Sequence, residues 1–353
     1  MSRISLSVDY EMGAYENFIS KFKLRNRFRL ELLAEFFGTF CLLTIGSSVT
    51  STFFLHPNHN PYLNIVDKNN TIVYRIENAP PLPIKYAIAT GYSTGAMIGM
   101  YASLGISGGH LNPAASFALA TIGKFPWYKV IPYSIAQITG AFFGCFPTYF
   151  AFKEAFEKQH SFIKQENNKT LLIGGSPHST GGVYSTFLQP HASTYQTFID
   201  QVIGTSFLLF ACMAIADEKN LNVHIGLQPF LMAWVIRTLA MTYSINSDNS
   251  LNPARDFGPR LFMFFMEYGK DSFIYRDKWY WLFGGIVGPM VGAVLGCWLY
   301  ELVIGVNHCL MDRRIPHYFS DTLETKGVKR KDAISDERLF KATNEAEKKN
   351  IRF

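Results

Sequence analysis

Ser107-Gly108-Gly109-His110-Leu111-Asn112-Pro113-Ala114 aligns without a gap against Ser247-Asp248-Asn249-Ser250-Leu251-Asn252-Pro253-Ala254, so the chain holds two copies of Ser-x-x-x-Leu-Asn-Pro-Ala. Asn is a favoured helix N-cap and Pro is tolerated at the first helical position, so each copy reads as a helix start. The segments after them, residues 114–120 in one copy and up to Phe262 in the other, are too short to cross a bilayer before charge, Gly or Pro intervenes. Each copy therefore opens a half-helix. A lone Asn-Pro-Ala would be an ordinary cap; the gapless duplication is what makes the pair informative.

Outward from these boxes the chain is apolar. Charge-free runs occupy 36–55, 86–109, 130–152 and 279–300, each long enough to cross about 30 Å of hydrocarbon as a helix. Two further spans are less clean: 201–216 is short unless extended back past Asp200, and 225–244 carries Arg237 in its middle. Six spans result. The 353 residues are 48% hydrophobic and only 17% charged, and the charges crowd into the ends, the loops and the last fifty residues, as a bilayer-embedded chain requires. Cys41, Cys145, Cys212, Cys297 and Cys309 are scattered, so neither a disulfide framework nor metal-ligand spacing is present. The net charge of +6 lies mostly at the cytoplasmic ends, where anionic membrane lipid is a better partner than nucleic acid.

The duplication extends beyond the boxes. Ala34-Glu35-Phe36-Phe37-Gly38-Thr39 recurs in outline as Asp200-Gln201-Val202-Ile203-Gly204-Thr205. Three spans per half force the halves to insert with opposite orientation, an inverted repeat. The expected division is a cytoplasmic segment 1–29, a six-helix domain 30–305 with repeats at about 30–152 and 196–305, and a cytoplasmic tail 306–353. Lys21, Lys23, Arg25, Arg27 and Arg29 before the first span place the N-terminus in the cytoplasm, and six crossings return the C-terminus there. No small-residue cleavage site precedes the first span, which is expected to act as its own targeting signal. Loops at 56–82, where the first half carries an insertion, and at 153–195 then face outside. They hold the sequons Asn69-Asn70-Thr71 and Asn168-Lys169-Thr170, candidate N-glycosylation sites.

Inversion lets the two half-helix N-termini meet near the midplane, which makes that centre electropositive. Non-helical backbone at this depth must line a wet cavity, so Gly108, Gly109 and His110, and on the other side Asn249, Ser250 and Leu251, are expected to present carbonyls to permeants. The amides of Asn112 and Asn252 can donate to a passing oxygen, while Arg255 and the half-helix ends oppose cations and protons. Water and small polyols fit such a pore; ions do not.

With both boxes in place, residues 30–305 resemble the aquaporin or major intrinsic protein superfamily. Asn252-Pro253-Ala254-Arg255-Asp256-Phe257-Gly258-Pro259-Arg260-Leu261 is similar to the aquaglyceroporin version, in which an acidic residue follows the arginine, and Gly288-Pro289-Met290 resembles that branch too. The resemblance implies an all-α membrane fold of six transmembrane helices plus two re-entrant half-helices. It also implies a homotetramer in the plasma membrane that passes glycerol, water and other small neutral solutes, urea among them. Family spacing places the selectivity filter at Tyr92, Ala240, Asn249 and Arg255. Two positions depart from the branch: Asn249 stands where a second aromatic is usual, and Ala240 where Gly is. The filter is therefore expected to be wider on one side and more polar. Asp256 and Arg260, at i and i+4, are expected to pair structurally.

Four readings compete with this one. A water-selective aquaporin is opposed by Asp256 and by the lack of His at position 240. A proton- or sodium-coupled transporter would need more ionisable groups in the spans than Glu35 and Arg237. A non-conducting scaffold is disfavoured by the intact boxes. An enzyme is opposed by the lack of a nucleotide loop, a metal-spaced cluster or an activated nucleophile, so no cofactor is expected. Glu35 reads either as a proton relay or as a structural acceptor for re-entrant backbone; Gln201 at the equivalent point favours the latter, since an amide cannot shuttle protons. His110 reads as a fixed residue beside the box. For Arg237 three placements stay open: the pore, a neighbouring subunit, or snorkelling to the interface.

Overall fold

The computed structural model describes residues 23–55, 62–66, 72–76, 81–165, 168, 172–174 and 178–309. Asn69, Lys21 and nearly all of the expected tail lie outside them. One compact unit runs to Val303, and a second begins at Ile304. In the first, helix α1 (Arg27–Leu55) is followed by strands β1 (Tyr62–Val66) and β2 (Ile72–Ile76), then α2 (Pro81–Ser107), half-helix α3 (Pro113–Thr121), α4 (Trp127–Ala151) and α5 (Lys153–Gln165). The second half contributes α6 (Thr194–Ala216), α7 (Gln228–Thr242), half-helix α8 (Pro253–Phe265), α9 (Asp271–Ile274), α10 (Tyr280–Leu282), a π segment (Phe283–Val287) and α11 (Gly288–Val303).

Among the described residues, α1, α4, α6 and the helical run from Tyr280 are long and apolar enough to cross a membrane by themselves. α2 and α7 complete the six. At 15 residues α7 spans only about 22 Å, less than the hydrocarbon thickness. Large apolar side chains face outward, as lipid contact requires: Ile131, Phe150 and Leu302 are each more than half exposed.

The expected loops contain more structure than their composition announces. The insertion at 56–82 carries an antiparallel hairpin in which Tyr62 pairs with Ile76 and Val66 with Ile72, the one departure from helical elements among the described residues. The 153–195 loop opens with α5, which buries Phe156, His160 and Ile163. α6 begins at Thr194, well before the charge-free run, because Ser193 and Gln196 form a capping box. Asp200 thereby lies inside a span, an ionisable group there in addition to Glu35 and Arg237. Its carboxylate accepts from Gln201 Nε2 at 2.9 Å and Asn246 Nδ2 at 2.9 Å, which offsets its desolvation.

Close helix approach holds the two halves in matching geometry. A Cβ on Gly140 of α4 would lie 2.2 Å from the Phe36 carbonyl of α1, and one on Gly292 of α11 would lie 2.3 Å from the Val202 carbonyl of α6. Nothing larger than glycine fits either crossing. Where helix backbones touch in this way, hydroxyls add inter-helix bonds: Thr44 donates to the Gly144 carbonyl and Ser206 to that of Gly292, both at 3.0 Å.

Candidate functional site

Each Asn-Pro-Ala box starts a half-helix by the same local chemistry. Asn112 and Asn252 have extended backbones (φ −152° in both), and their side-chain oxygens accept from the backbone N–H of Ala114 and Ala254 at 2.9 Å. Asn252 also caps Arg255 N at 3.3 Å. Pro113 and Pro253 occupy the first helical position, where a missing N–H costs nothing. Leu111 and Leu251, one residue earlier, both sit at φ 51°, a strained conformation for leucine.

That strain is held by reciprocal bonds. Asn112 Nδ2 donates to the Leu251 carbonyl at 3.0 Å, and Asn252 Nδ2 donates to the Leu111 carbonyl at 2.7 Å. The half-helices meet tip to tip, each amide using one of its two hydrogens on the opposite backbone and leaving the other. The Leu251 carbonyl, expected to face permeants, thus also accepts from Asn112, which occupies one of its two lone pairs. The carbonyls of Gly108, Gly109, His110, Asn249 and Ser250 accept no hydrogen bond from the described residues. Ser250 itself donates to Gly285 O at 3.2 Å.

Glu35 and Gln201 carry the backbone that leads into the boxes. Glu35, fully buried, accepts from His110 N at 3.0 Å, Leu111 N at 2.7 Å, Ser107 Oγ at 2.6 Å and Gln137 Nε2 at 2.8 Å. Four donors fill its two oxygens, which gives it the coordination of a fixed acceptor and none of the openness of a relay. Gln201 Oε1 accepts from Leu251 N at 2.9 Å, its repeat-related counterpart. Ser107, the first residue of its box, and Gln137 complete this shell; Gln137 was not singled out in the sequence, and a glutamine in an otherwise apolar span was the available signal. His110 is fixed by Ser116 Oγ at 3.0 Å and by the edge of Phe125.

Three of the four expected filter residues have defined partners. The Arg255 guanidinium lies 4.4 Å from the centroid of the Tyr92 ring, and its Nη1 is buried without a hydrogen-bond partner. Tyr92 is anchored by its hydroxyl, which donates to Val183 O at 3.3 Å. Asn249, at φ 63°, donates its amide to Leu239 O at 2.7 Å, while its Oδ1 is buried and unpartnered. One end of the amide thus ties the box to the last turn of α7. Ala240 is half-buried on the same turn.

Behind Arg255 stands a shell the sequence only half disclosed. Asp256 and Arg260 pair at 2.8 Å with both side chains essentially buried. Asp256 Oδ1 also accepts from Ser185 Oγ at 2.9 Å and Thr186 Oγ1, and Arg260 donates to the carbonyls of Ser272 and Thr186. The Phe187 and Tyr280 rings face the guanidinium at 4.8 and 5.4 Å. Removing one partner of a buried pair like this costs about 3–5 kcal/mol. A Cβ on Gly285 would come 2.2 Å from Asp256 Oδ2, so the π segment provides the room this carboxylate occupies.

Residues 23–300 match the family model described as Major intrinsic protein. Over 302 residues the chain is 32% identical to aquaporin-9 of Mus musculus, spanning 86% of this chain and 92% of that protein. It is likewise 32% identical over 281 residues to aquaglyceroporin-2 of Rhizophagus irregularis, spanning 80% of this chain and 78% of that one. The X-ray structure of the aquaglyceroporin from Plasmodium falciparum aligns with a TM-score of 0.62 at 27% identity, covering 80% of this chain and 100% of that chain. Six helices, two opposed half-helices and a family match across both repeats lead to one assignment: the chain belongs to the major intrinsic protein family of membrane channels.

Proposed function

We propose that this chain is a passive channel for glycerol, water and other small neutral solutes, urea included, and that it excludes ions and protons. The observation that carries the reading is the reciprocal lock between Asn112 and Asn252, which fixes two positive half-helix ends at one point and leaves one amide hydrogen on each side for a permeant oxygen. Relatives named aquaglyceroporin, and the acidic Asp256 behind the box, favour polyol conduction over a water-selective pore.

In this reading Tyr92, Ala240, Asn249 and Arg255 form the filter, and the carbonyls of Gly108, Gly109, His110, Asn249, Ser250 and Leu251 pass the solute along. Buried Arg255 supplies N–H donors to hydroxyl or carbonyl oxygens and repels cations. Glu35, Gln201, Asp256 and Arg260 position backbone without touching solute. The channel domain spans 30–305, with 1–29 and 306–353 as cytoplasmic segments of a plasma-membrane protein. Asn168, which is exposed, is the glycosylation candidate within the described residues. Four copies assemble with one pore each. A particle that stays monomeric in every mild detergent would overturn that assembly.

Stopped-flow light scattering on proteoliposomes tests the conduction itself. Glycerol-driven reswelling well above that of empty vesicles, insensitive to pH and sodium gradients, is expected. Water flux without glycerol flux would instead make the pore water-selective.

A further inference from the structure

Residues 180–186, between α5 and α6, form a strap that runs past Tyr92 and is fastened at both ends. At one end Thr180 is fully buried, and its hydroxyl meets His160 Nε2 of α5 at 2.8 Å and the Tyr268 hydroxyl at 2.7 Å. At the other end Ser185 Oγ donates to Asp256 Oδ1 at 2.9 Å, and the Thr186 N–H donates to the same oxygen at 3.3 Å. Between them Val183 N donates to the Thr180 carbonyl at 3.0 Å, and the Val183 carbonyl accepts from the Tyr92 hydroxyl at 3.3 Å. A continuous line of contacts thus joins His160 to the ring that faces Arg255.

The hydrogens along this line balance when His160 is neutral. Glu267 Oε2 lies 3.0 Å from His160 Nδ1 and, as a carboxylate, can only accept, so Nδ1 carries the ring hydrogen. Nε2 then takes the hydrogen of Thr180, whose oxygen accepts from Tyr268. A second proton on the ring puts a hydrogen on Nε2 as well. Two hydrogens now meet across the His160–Thr180 contact, and Thr180 or Tyr268 must turn its own away where both residues are buried. A buried donor without an acceptor is costly, and loosening the strap relieves it. The charged groups around the imidazole are Glu157 and Lys164 on α5 and Glu267 after α8; burial is the largest influence and lowers its pKa. Tyr149 of α4 and Tyr184 of the strap stack on Phe156 beside it.

The Tyr92 ring has little room on its other side. A Cβ on Gly46 of α1 would lie 2.3 Å from the ring, which therefore already rests on that helix, while the Arg255 guanidinium stands 4.4 Å from its centroid. A ring freed from Val183 can shift toward Arg255 but not toward α1.

We propose that His160 is a positioning residue of the filter: neutral, it holds the strap and, through the Val183 carbonyl, keeps Tyr92 back from Arg255; protonated, it releases the strap and lets Tyr92 narrow the path. The inference rests on the reading of Tyr92 and Arg255 as filter residues of a glycerol-conducting pore. A narrower opening hinders glycerol more than water, the smaller molecule, so acid lowers the glycerol-to-water permeability ratio.

Stopped-flow light scattering on proteoliposomes of the full-length protein, equilibrated on both sides at pH 7 or at pH 5, tests this. The wild-type ratio is expected to fall by about threefold, within what one stranded buried donor supplies. His160→Gln keeps a donor and an acceptor in place without titrating, and should hold the pH 7 ratio at both values. Glu267→Gln should move the midpoint of the response to lower pH, because the charge that favours the imidazolium is gone; a merely structural tie would not move it. Tyr92→Phe lacks the hydroxyl and should show the low ratio already at pH 7, with no further fall. If His160→Gln does not fold, these last two variants decide. Glycerol conducted with an equal ratio at pH 7 and pH 5, or a fall that persists in His160→Gln, would overturn the proposal and leave the conduction reading standing. Absence of glycerol flux at both pH values would sink the conduction reading, and this inference with it.

Discussion

The side-chain amide of Asn252 donates to the Leu111 carbonyl at 2.7 Å while the same residue's oxygen caps Ala254, so one side chain both starts its own half-helix and holds the other. Asn112 does the same in reverse. Since each asparagine supplies a cap worth about 1 kcal/mol and a buried bond of similar size, Asn252→Ala should cost about 2 kcal/mol and abolish solute flux. The double variant with Asn112→Ala should lose less than the sum, because losing one bond already loosens the adjacent backbone that positions the other. Strict additivity in thermal or denaturant unfolding would show that the two bonds do not cooperate.

This much was legible because helix starts are local signals and the repeat doubled them. Glu35 and Gln201 were legible for the same reason, as equivalents in two aligned segments. The shell around Asp256 and Arg260 was legible only in its i, i+4 pair: Ser185, Thr186 and Tyr280 come from segments whose neighbours are set by the fold, and no periodicity announces them. α5 has Phe156, His160 and Ile163 at helical spacing, yet its low apolar content hides it beside spans twice its length. Arg237 needed three dimensions, because the Tyr86 hydroxyl to which it donates at 3.1 Å lies on another helix.

Arg255 combines burial with an unpartnered Nη1 beside the Tyr92 ring. Its charge and donors should therefore oppose cations and receive permeant oxygens. Arg255→Val is expected to raise proton or small-cation leak at a preserved water flux. An ion conductance unchanged from wild type, in a folded mutant, would place exclusion at the half-helix ends alone.

The segment that contains α5 carries a pH-sensitive tie. His160 of α5 bonds Glu267 at 3.0 Å through Nδ1 and Thr180 at 2.8 Å through Nε2, and Tyr268 bonds the same threonine at 2.7 Å. Burial lowers the His160 pKa, against the raising effects of Glu267 and Glu157 and with that of Lys164. Glu267 is also lowered: burial raises it, but Lys164 and His160 together outweigh that. Both shifts have the same sign for stability. The tie is at full strength above the ordinary histidine pKa of about 6.5 and weakens as pH falls, first through His160 and then through Glu267 below about 4.5. Proteolysis or hydrogen exchange within α5 should accelerate between pH 7 and 5, and His160→Gln should flatten that dependence. An α5 equally protected at pH 7 and pH 5 would remove the tie.

Asn249, proposed above as a filter residue, is half committed: its nitrogen holds Leu239 O, and its Oδ1 has no partner. A buried acceptor of this kind takes N–H and O–H donors alike, whereas an aromatic face favours C–H. The wild-type channel should accordingly discriminate weakly between urea and glycerol. Asn249→Tyr should narrow the opening and supply the apolar face, lowering urea permeability more than glycerol permeability and leaving water nearly unchanged, because water is the smallest of the three. Loss of the bond to Leu239 should also loosen the end of α7, at a cost of about 1 kcal/mol in unfolding. The two effects separate in Asn249→Ala, which loses the bond and the acceptor without adding a ring. If Asn249→Tyr and Asn249→Ala shifted the urea-to-glycerol ratio equally in reconstituted vesicles, the acceptor alone would govern the choice; if neither moved it, Asn249 would not belong to the filter.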